Sequence, residues 1–388
     1  MFIFGPEKLA IGHSRRDYKS PFQKLQEFNW FIVALITLIA CVGFIALYSV
    51  AGGKFNPWAS RQMAHFFIGL LLMLGVGLVN LRFWMVMAYP FYGLSTLLLV
   101  AVDIKGRVGM GAQRWLDLGV IQLQPSEIMK IALVLALARY FHGLAAERIK
   151  SLSSLVVPLL LILVPCALVI KQPDLGTALL LIMSGSAIIF LAGARIWIFV
   201  VGFIGAVASV PVAWHFLRDY QKKRVLIFLN PESDPLGAGY HILQSKIALG
   251  SGGIFGKGYL HGTQSQLNFL PEKQTDFIFT MFSEEFGLLG GLMLLTLYVM
   301  LISATIVLSY NVRSPFGRIT SMGVALNFFL YVFINIAMVM GLLPVVGVPL
   351  PLVSYGGSAM LTLMMGFGLV LSAGVSRSIP ISRGGAFG

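Results

Sequence analysis

The 388-residue chain is 57% hydrophobic and only 11% charged, with a mean hydropathy of +0.86. Soluble domains carry about 25% charged residues, so this chain has too few polar side chains to clothe a water-facing surface, and a soluble globular fold is excluded. The net charge of +13 suits contact with anionic lipid headgroups; a nucleic-acid partner is set aside, because no basic soluble domain exists to hold one.

Residues 1–29 read as a basic cytoplasmic tail that includes Arg15, Arg16, Lys19 and Lys24. The first apolar run starts at Trp30. It is long enough to span and lacks a convincing small-residue cleavage site, so it reads as a first transmembrane helix rather than a removed signal peptide. Ten spans are expected, at 30–50, 64–80, 83–102, 127–141, 152–170, 175–191, 196–216, 277–309, 319–342 and 353–375. The fold class is therefore all-α and polytopic: a ten-helix membrane domain over 30–375, a large extracytoplasmic loop over 217–275 between spans seven and eight, and a C-terminal tail over 376–388. With the N-terminus inside, Arg and Lys concentrate in the short inner segments, and an even number of spans puts both termini in the cytoplasm. Cys41 and Cys166 sit within apolar runs, which suits small core residues and neither a disulfide nor a metal site.

In chain order, the first polar constellation is "QLQPSEIMK" at 122–130. Pro125 suits a first helical turn, and Glu127 and Lys130 are i, i+3 neighbours on one helix face. They form either a local ion pair near lipid, or a site in which Lys130 meets an anion while Glu127 orients it or helps to hold a cation. In "KQPDLGTA" at 171–178, Asp174 directly precedes an apolar run and reads as a helix cap. Within the long loop, Tyr240–Leu249 has the pattern of a short amphipathic helix that sets Gln244, Ser245 and Lys246 apart from its apolar positions. "GSGGIFGKG" at 250–258 is glycine-rich without the spacing of a phosphate-binding P-loop. The loop is also basic, with Arg218, Lys222, Lys223, Arg224, Lys246, Lys257 and Lys273. A solvated face is the ordinary reading of such a set; a pyrophosphate ligand would need such cations.

The loop ends in "LPEKQTDFIF" at 270–279, where Asp276 meets the next apolar run. On a continuous helix Thr280, Ser283 and Gly287 would share its face. Asp276 is then either a charge favoured by the helix dipole or the top of a polar stripe that must face a cavity or protein, because lipid cannot satisfy it. The last constellation is "LLPVVGVPLPLVSYGGSAML" at 342–361. Its three prolines break any helix, Gly356 and Gly357 permit close backbone approach, and Ser358 follows them.

The motifs "QPDLGTA" (172–178), "NPESDPLGAGYHILQSKIALGSGGIFGKGYLHGTQSQLNFLPEKQTDFIF" (230–279) and "GVPLPLVSYGGSA" (347–359) resemble those of the SEDS family, the shape, elongation, division and sporulation proteins. The resemblance runs from the first span to the tenth and favours the elongation branch over the division branch. It implies a peptidoglycan glycosyltransferase that polymerises lipid II at the outer face of the bacterial cytoplasmic membrane, with Asp276 as general base. It also implies a class B penicillin-binding protein and other elongation-complex proteins as partners. Lys130, Arg224, Lys246, Gln244, Ser265 and Ser358 are the candidates for holding the lipid pyrophosphate, and Glu127 and Asp174 those for a divalent metal such as magnesium or manganese. Two rival readings are a lipid II flippase, which needs polar groups at mid-membrane, and a non-catalytic scaffold of the elongation complex.

Overall fold

The computed structural model describes residues 20–109, 112–117, 122–216, 219–234, 237–263, 270, 272–379 and 381. A one-turn helix, α1 (Pro21–Gln26), opens on a capping box between Ser20 and Gln23. Three long helices follow: α2 (Trp30–Val50), α3 (Trp58–Leu78) and α4 (Leu81–Lys105). Then comes a feature the sequence did not announce. The stretch expected to be a plain outer loop forms an antiparallel sheet, with β1 (Arg107–Gly109), β2 (Ala112–Asp117) and β3 (Gln122–Leu123) in that order.

The helical fold resumes with α5 (Pro125–Gly143), α6 (Ala146–Ile149), α7 (Val156–Lys171), α8 (Leu175–Leu191) and α9 (Ile196–Phe216). The expected long loop carries two helices, α10 (Asp219–Leu229) and the amphipathic α11 (Ala238–Ser251). Three long helices complete the chain: α12 (Ile278–Tyr310), α13 (Pro315–Val339) and α14 (Gly357–Val375).

Among the described residues seven helical segments are long and apolar enough to cross a membrane: α2, α3, α4, α7 with its leading turn, α12, α13 and α14. Two shorter apolar segments, 175–191 and 196–212, accompany them. The protein is thus a polytopic bundle in which helix supplies the spanning architecture. Its centre is α5, α13 and α14, whose side chains are buried nearly all round. The outer helices expose Phe67, Leu71, Leu97, Leu160, Phe203 and Ile204, as surfaces facing hydrocarbon do.

The helix that follows Asp276 is not continuous. At Gly287 the backbone adopts φ 66° and ψ −165°, a conformation that only glycine reaches without strain. The hydrogen bonds lost at the break are remade with the glycine-rich segment. Leu288 N donates to Gly253 O (2.9 Å) and Leu289 N to Ile254 O (3.1 Å). In return Lys257 N donates to Glu284 O (3.0 Å) and Gly258 N to Glu285 O (3.1 Å). A Cβ on Gly256 would overlap the Glu285 carbonyl oxygen and one on Gly252 the Ser283 carbonyl oxygen, so "GSGGIFGKG" needs glycine at these two positions because it lies against another backbone.

Candidate functional site

Asp276 sits in a turn rather than on the helix. The N-cap of α12 is Phe277, with no side-chain cap bond, and Asp276 N donates to Glu272 O (3.2 Å). The expected stripe is therefore corrected: Thr280 and Ser283 are buried inside α12, Gly287 interrupts it, and Asp276 lies outside it. Its placement comes from three directions. Asn335 Nδ2 on α13 donates to Asp276 O (3.0 Å) and to Val348 O (2.7 Å). Ser354 Oγ donates to Thr275 O (2.6 Å) and accepts from Leu350 N (2.7 Å). Tyr355 N donates to Gln274 O (2.9 Å).

The irregular segment 340–356 thus cradles the turn. Gly347 has φ 74°, and a Cβ there would stand 3.5 Å from Asp276 Oδ2, so the carboxylate lies over bare backbone. Gln62 on α3 pins the far end of the cradle: its Nε2 donates to Ser354 O (2.8 Å), and its Oε1 accepts from Gly356 N (3.2 Å). Tyr298 Oη adds a bond to Pro351 O (2.7 Å). Three prolines keep this backbone from becoming helix, and protein donors satisfy it where lipid would not.

The Glu127–Lys130 pair is joined to this cradle through α13. Lys130 Nζ lies 2.6 Å from Glu127 Oε1, and both side chains are at most 6% exposed. Tyr331 Oη donates to Glu127 Oε2 (2.6 Å) and also meets Lys130 Nζ. Tyr331 and Asn335 are one helical turn apart, so a single face of α13 holds both the ion pair and the Asp276 turn.

Asp174 approaches from another side. It caps α8, accepting from Thr177 N (3.2 Å) and Thr177 Oγ1 (2.9 Å), and Arg114 Nε on β2 lies 3.8 Å from its Oδ2. Arg114 also donates to Pro173 O (2.5 Å). Two residues on, a Cβ at Gly176 would stand 2.7 Å from Val346 O, which places the α8 cap beside the same cradle. The sheet has a purpose in this arrangement: it delivers a guanidinium to the Asp174 carboxylate.

The remaining expected residues divide. Lys246 is exposed on α11, with its Nζ 2.8 Å from where a Cβ of Gly341 would be. Beside it Ser245 Oγ is 2.9 Å from Thr280 Oγ1 and donates to Val339 O (2.9 Å), which docks α11 against α12 and α13. Gln244 is part-buried on α11, and Ser358 is buried in the first turn of α14. Ser265 and the side chain of Arg224 lie outside the described residues. Lys273 is part-buried, and burial lowers its pKa below the ordinary lysine value.

Glu127 and Asp174 test poorly as a metal site. Both oxygens of each carboxylate are engaged by donors, Lys130 and Tyr331 at Glu127 and the amide and hydroxyl of Thr177 at Asp174, where Arg114 adds a longer ion pair. Among the described residues no three His, Cys, Asp or Glu side chains cluster.

Sequence reading missed Tyr331, Asn335, Ser354, Gln62 and Arg114. One signal was available: Asn327, Tyr331 and Asn335 recur every four residues in an apolar run, and polar groups at membrane depth mark function or a buried partner.

Residues 27–379 match the family model FTSW_RODA_SPOVE, described as cell cycle protein. The chain is 48% identical over 347 residues to the peptidoglycan glycosyltransferase MrdB of Escherichia coli strain K12, covering 89% of this chain and 93% of that one. A chain solved in work on the structural coordination of polymerization and crosslinking by a peptidoglycan synthase complex superposes with a TM-score of 0.80 at 33% identity. It covers 91% of this chain and 99% of its own length. The rod shape determining protein RodA of Thermus thermophilus gives a TM-score of 0.69 at 29% identity, over 90% and 98% of the two chains.

Proposed function

The chain belongs to the FtsW, RodA and SpoVE family of cell cycle proteins, closely related to RodA, and from this premise we propose that Asp276 is the general base of its reaction. The protein is a SEDS-family peptidoglycan glycosyltransferase of the bacterial inner membrane, and it polymerises glycan strands in cell elongation. We infer that its substrate is lipid II and that its partner is a penicillin-binding transpeptidase; the likeness to a chain from work on coordinated polymerization and crosslinking by a peptidoglycan synthase complex supports this.

The acceptor sugar hydroxyl must lose a proton as it attacks the donor's anomeric carbon. A fixed carboxylate within hydrogen-bond reach accepts it. The observation that carries this reading is the mounting of Asp276. Its carbonyl and the two preceding ones are held by Asn335, Ser354 and Tyr355, and its carboxylate stands against Gly347. Such fixing by neighbouring groups is what a reacting side chain needs.

The leaving group is a lipid pyrophosphate whose growing charge needs cations. Lys246, part-buried Lys273 and, beyond the described side chains, Arg224 are the proposed donors, with Gln244, Ser265 and Ser358 as neutral ones. Lys130 is held by Glu127 and Tyr331, so it acts on the anion through the electrostatic field of that network. We assign ten spans by adding α5, α8 and α9 to the seven long apolar segments; this puts both termini in the cytoplasm and Asp276 at the outer face. To hold magnesium or manganese, Glu127 and Asp174 would first have to give up their present partners.

The test uses purified protein with its transpeptidase partner and lipid II in detergent. Asp276→Asn should lower glycan polymerisation by about 10²–10⁴-fold while the protein stays folded. Undiminished lipid II consumption would sink the assignment, and translocation in vesicles without polymer would point to a flippase. The same assay in EDTA addresses the cation: the present partners of Glu127 and Asp174 predict that activity persists. A loss restored by magnesium or manganese would assign an ion to the pyrophosphate.

A further inference from the structure

At the end of the bundle opposite Asp276 lies a groove of about 670 Å³. It opens between the start of α2 and the end of α12. Asp276 immediately precedes α12, and the groove is lined by the last residues of that 33-residue helix, Met300 to Asn311. From the break at Gly287 to Tyr310 the helix runs on for ~35 Å, so its last residues stand far from Asp276. With Asp276 at the outer face, as proposed above, the groove lies at the cytoplasmic leaflet.

The walls and the rim differ in chemistry. Phe31, Met300 and Val307 form apolar walls, and Phe31 and Val307 are exposed, as groups facing acyl chains are. Arg377 stands on the rim. Arg313 is its neighbour, since Arg313 N donates to Arg377 O (3.0 Å). Both side chains are exposed, and neither has a carboxylate partner among the described residues. Glu27 also lines the groove, and Arg313, one backbone hydrogen bond outside the lining, brings a second guanidinium to this end, so the charge about the rim is net positive. Trp30, at the mouth, is half-exposed and fixed by Nε1 donating to Leu25 O (3.1 Å), an aromatic at the headgroup level.

A slot with apolar walls, a positive rim and a volume within the range of about 300–1,000 Å³ typical of ligand sites fits one occupant. We propose that this groove binds an anionic phospholipid of the cytoplasmic leaflet. Its phosphate meets Arg377 and Arg313, and its acyl chains run up the walls between α2 and α12. A membrane-spanning enzyme would thereby carry a lipid site remote from its reacting centre.

The test is native mass spectrometry of the full-length protein, titrated separately with phosphatidylglycerol, phosphatidylcholine and inorganic phosphate. Retained phosphatidylglycerol should exceed phosphatidylcholine several-fold. The double change Arg313→Ala with Arg377→Ala should lower phosphatidylglycerol occupancy by about tenfold or more, because each such cation contributes about fivefold in attraction. Ala304→Trp, which fills the groove and keeps both arginines, should lower occupancy by both lipids. Glycan polymerisation by the same variants, assayed with the transpeptidase partner and lipid II, reports folding and reads Asp276 without reading lipid retention, so failure of the lipid site and failure of the Asp276 reading are distinguishable. Equal retention of the two lipids would overturn the proposal, as would an unchanged preference in the double variant. Phosphate bound as well as the lipid would mean that a free anion, and no lipid, is the occupant.

Discussion

Asn335 directs its one amide nitrogen at carbonyls of two separate segments, Asp276 and Val348, and is itself fully buried. Replacing it by leucine leaves both carbonyls without that donor, at a cost of about 2–4 kcal/mol. Thermal unfolding in detergent reads the stability loss. In the polymerisation assay kcat should fall more than lipid II affinity if Asp276 is the base as proposed, because the turn that carries it loosens while the proposed cationic groups stay in place. Lys130 poses a different question at the same scale. Removing one member of a buried ion pair costs about 3–5 kcal/mol, because a charge is left unpaired. Glu127→Gln combined with Lys130→Met should therefore be less destabilising than the sum of the single changes. Activity that stays low in the stabilised double variant would give Lys130 a role toward the ligand, whereas recovered activity would confine it to the fold. Asp276 itself was legible in the sequence as a charge at a helix start. What the sequence did not give is that it lies outside the helix, because that depends on Ser354 and Tyr355, some eighty residues away.

At the scale of elements, the apolar runs named most helices within a few residues, and 175–191 and 196–216 coincide with α8 and α9. Length and hydropathy suffice there because a span must satisfy its backbone within itself. The sheet over 107–123 and the break at Gly287 escaped the reading because both are decided by partners. The β strands are short and supported by their contact with Asp174 through Arg114, and Gly287 stays unstrained only while residues 253–258 supply hydrogen bonds. The glycines of that segment should therefore respond unequally to alanine. Gly253 has φ 56° and open space around its missing Cβ, so Gly253→Ala carries backbone strain alone, about 1 kcal/mol. Gly256 has φ 82° and meets the Glu285 carbonyl, so Gly256→Ala forces the two backbones apart. Its loss of thermal stability should be several times larger, and similar losses from the two variants would contradict the docking.

For the whole molecule, the constellations the sequence singled out lie far apart in the chain yet share one end of the bundle. Segment 340–356 gathers them: Val346 touches the cap of α8, Gly347 underlies Asp276, and Ser354 reaches the turn before it. Composition alone announced a membrane protein, but this convergence needs the packing of α13 and α14 against α5 and α3. The same packing gives the seam at Gly287 a kinetic meaning. Its four reciprocal bonds join an outer segment to a spanning helix, so neither side opens without the other. In a hydrogen–deuterium exchange experiment the amides of Lys257 and Gly258 belong to one cooperative unit with Leu288 and Leu289. A stretch whose composition suggests a floppy tether should then exchange as slowly as the hydrocarbon-embedded helix it is laced to.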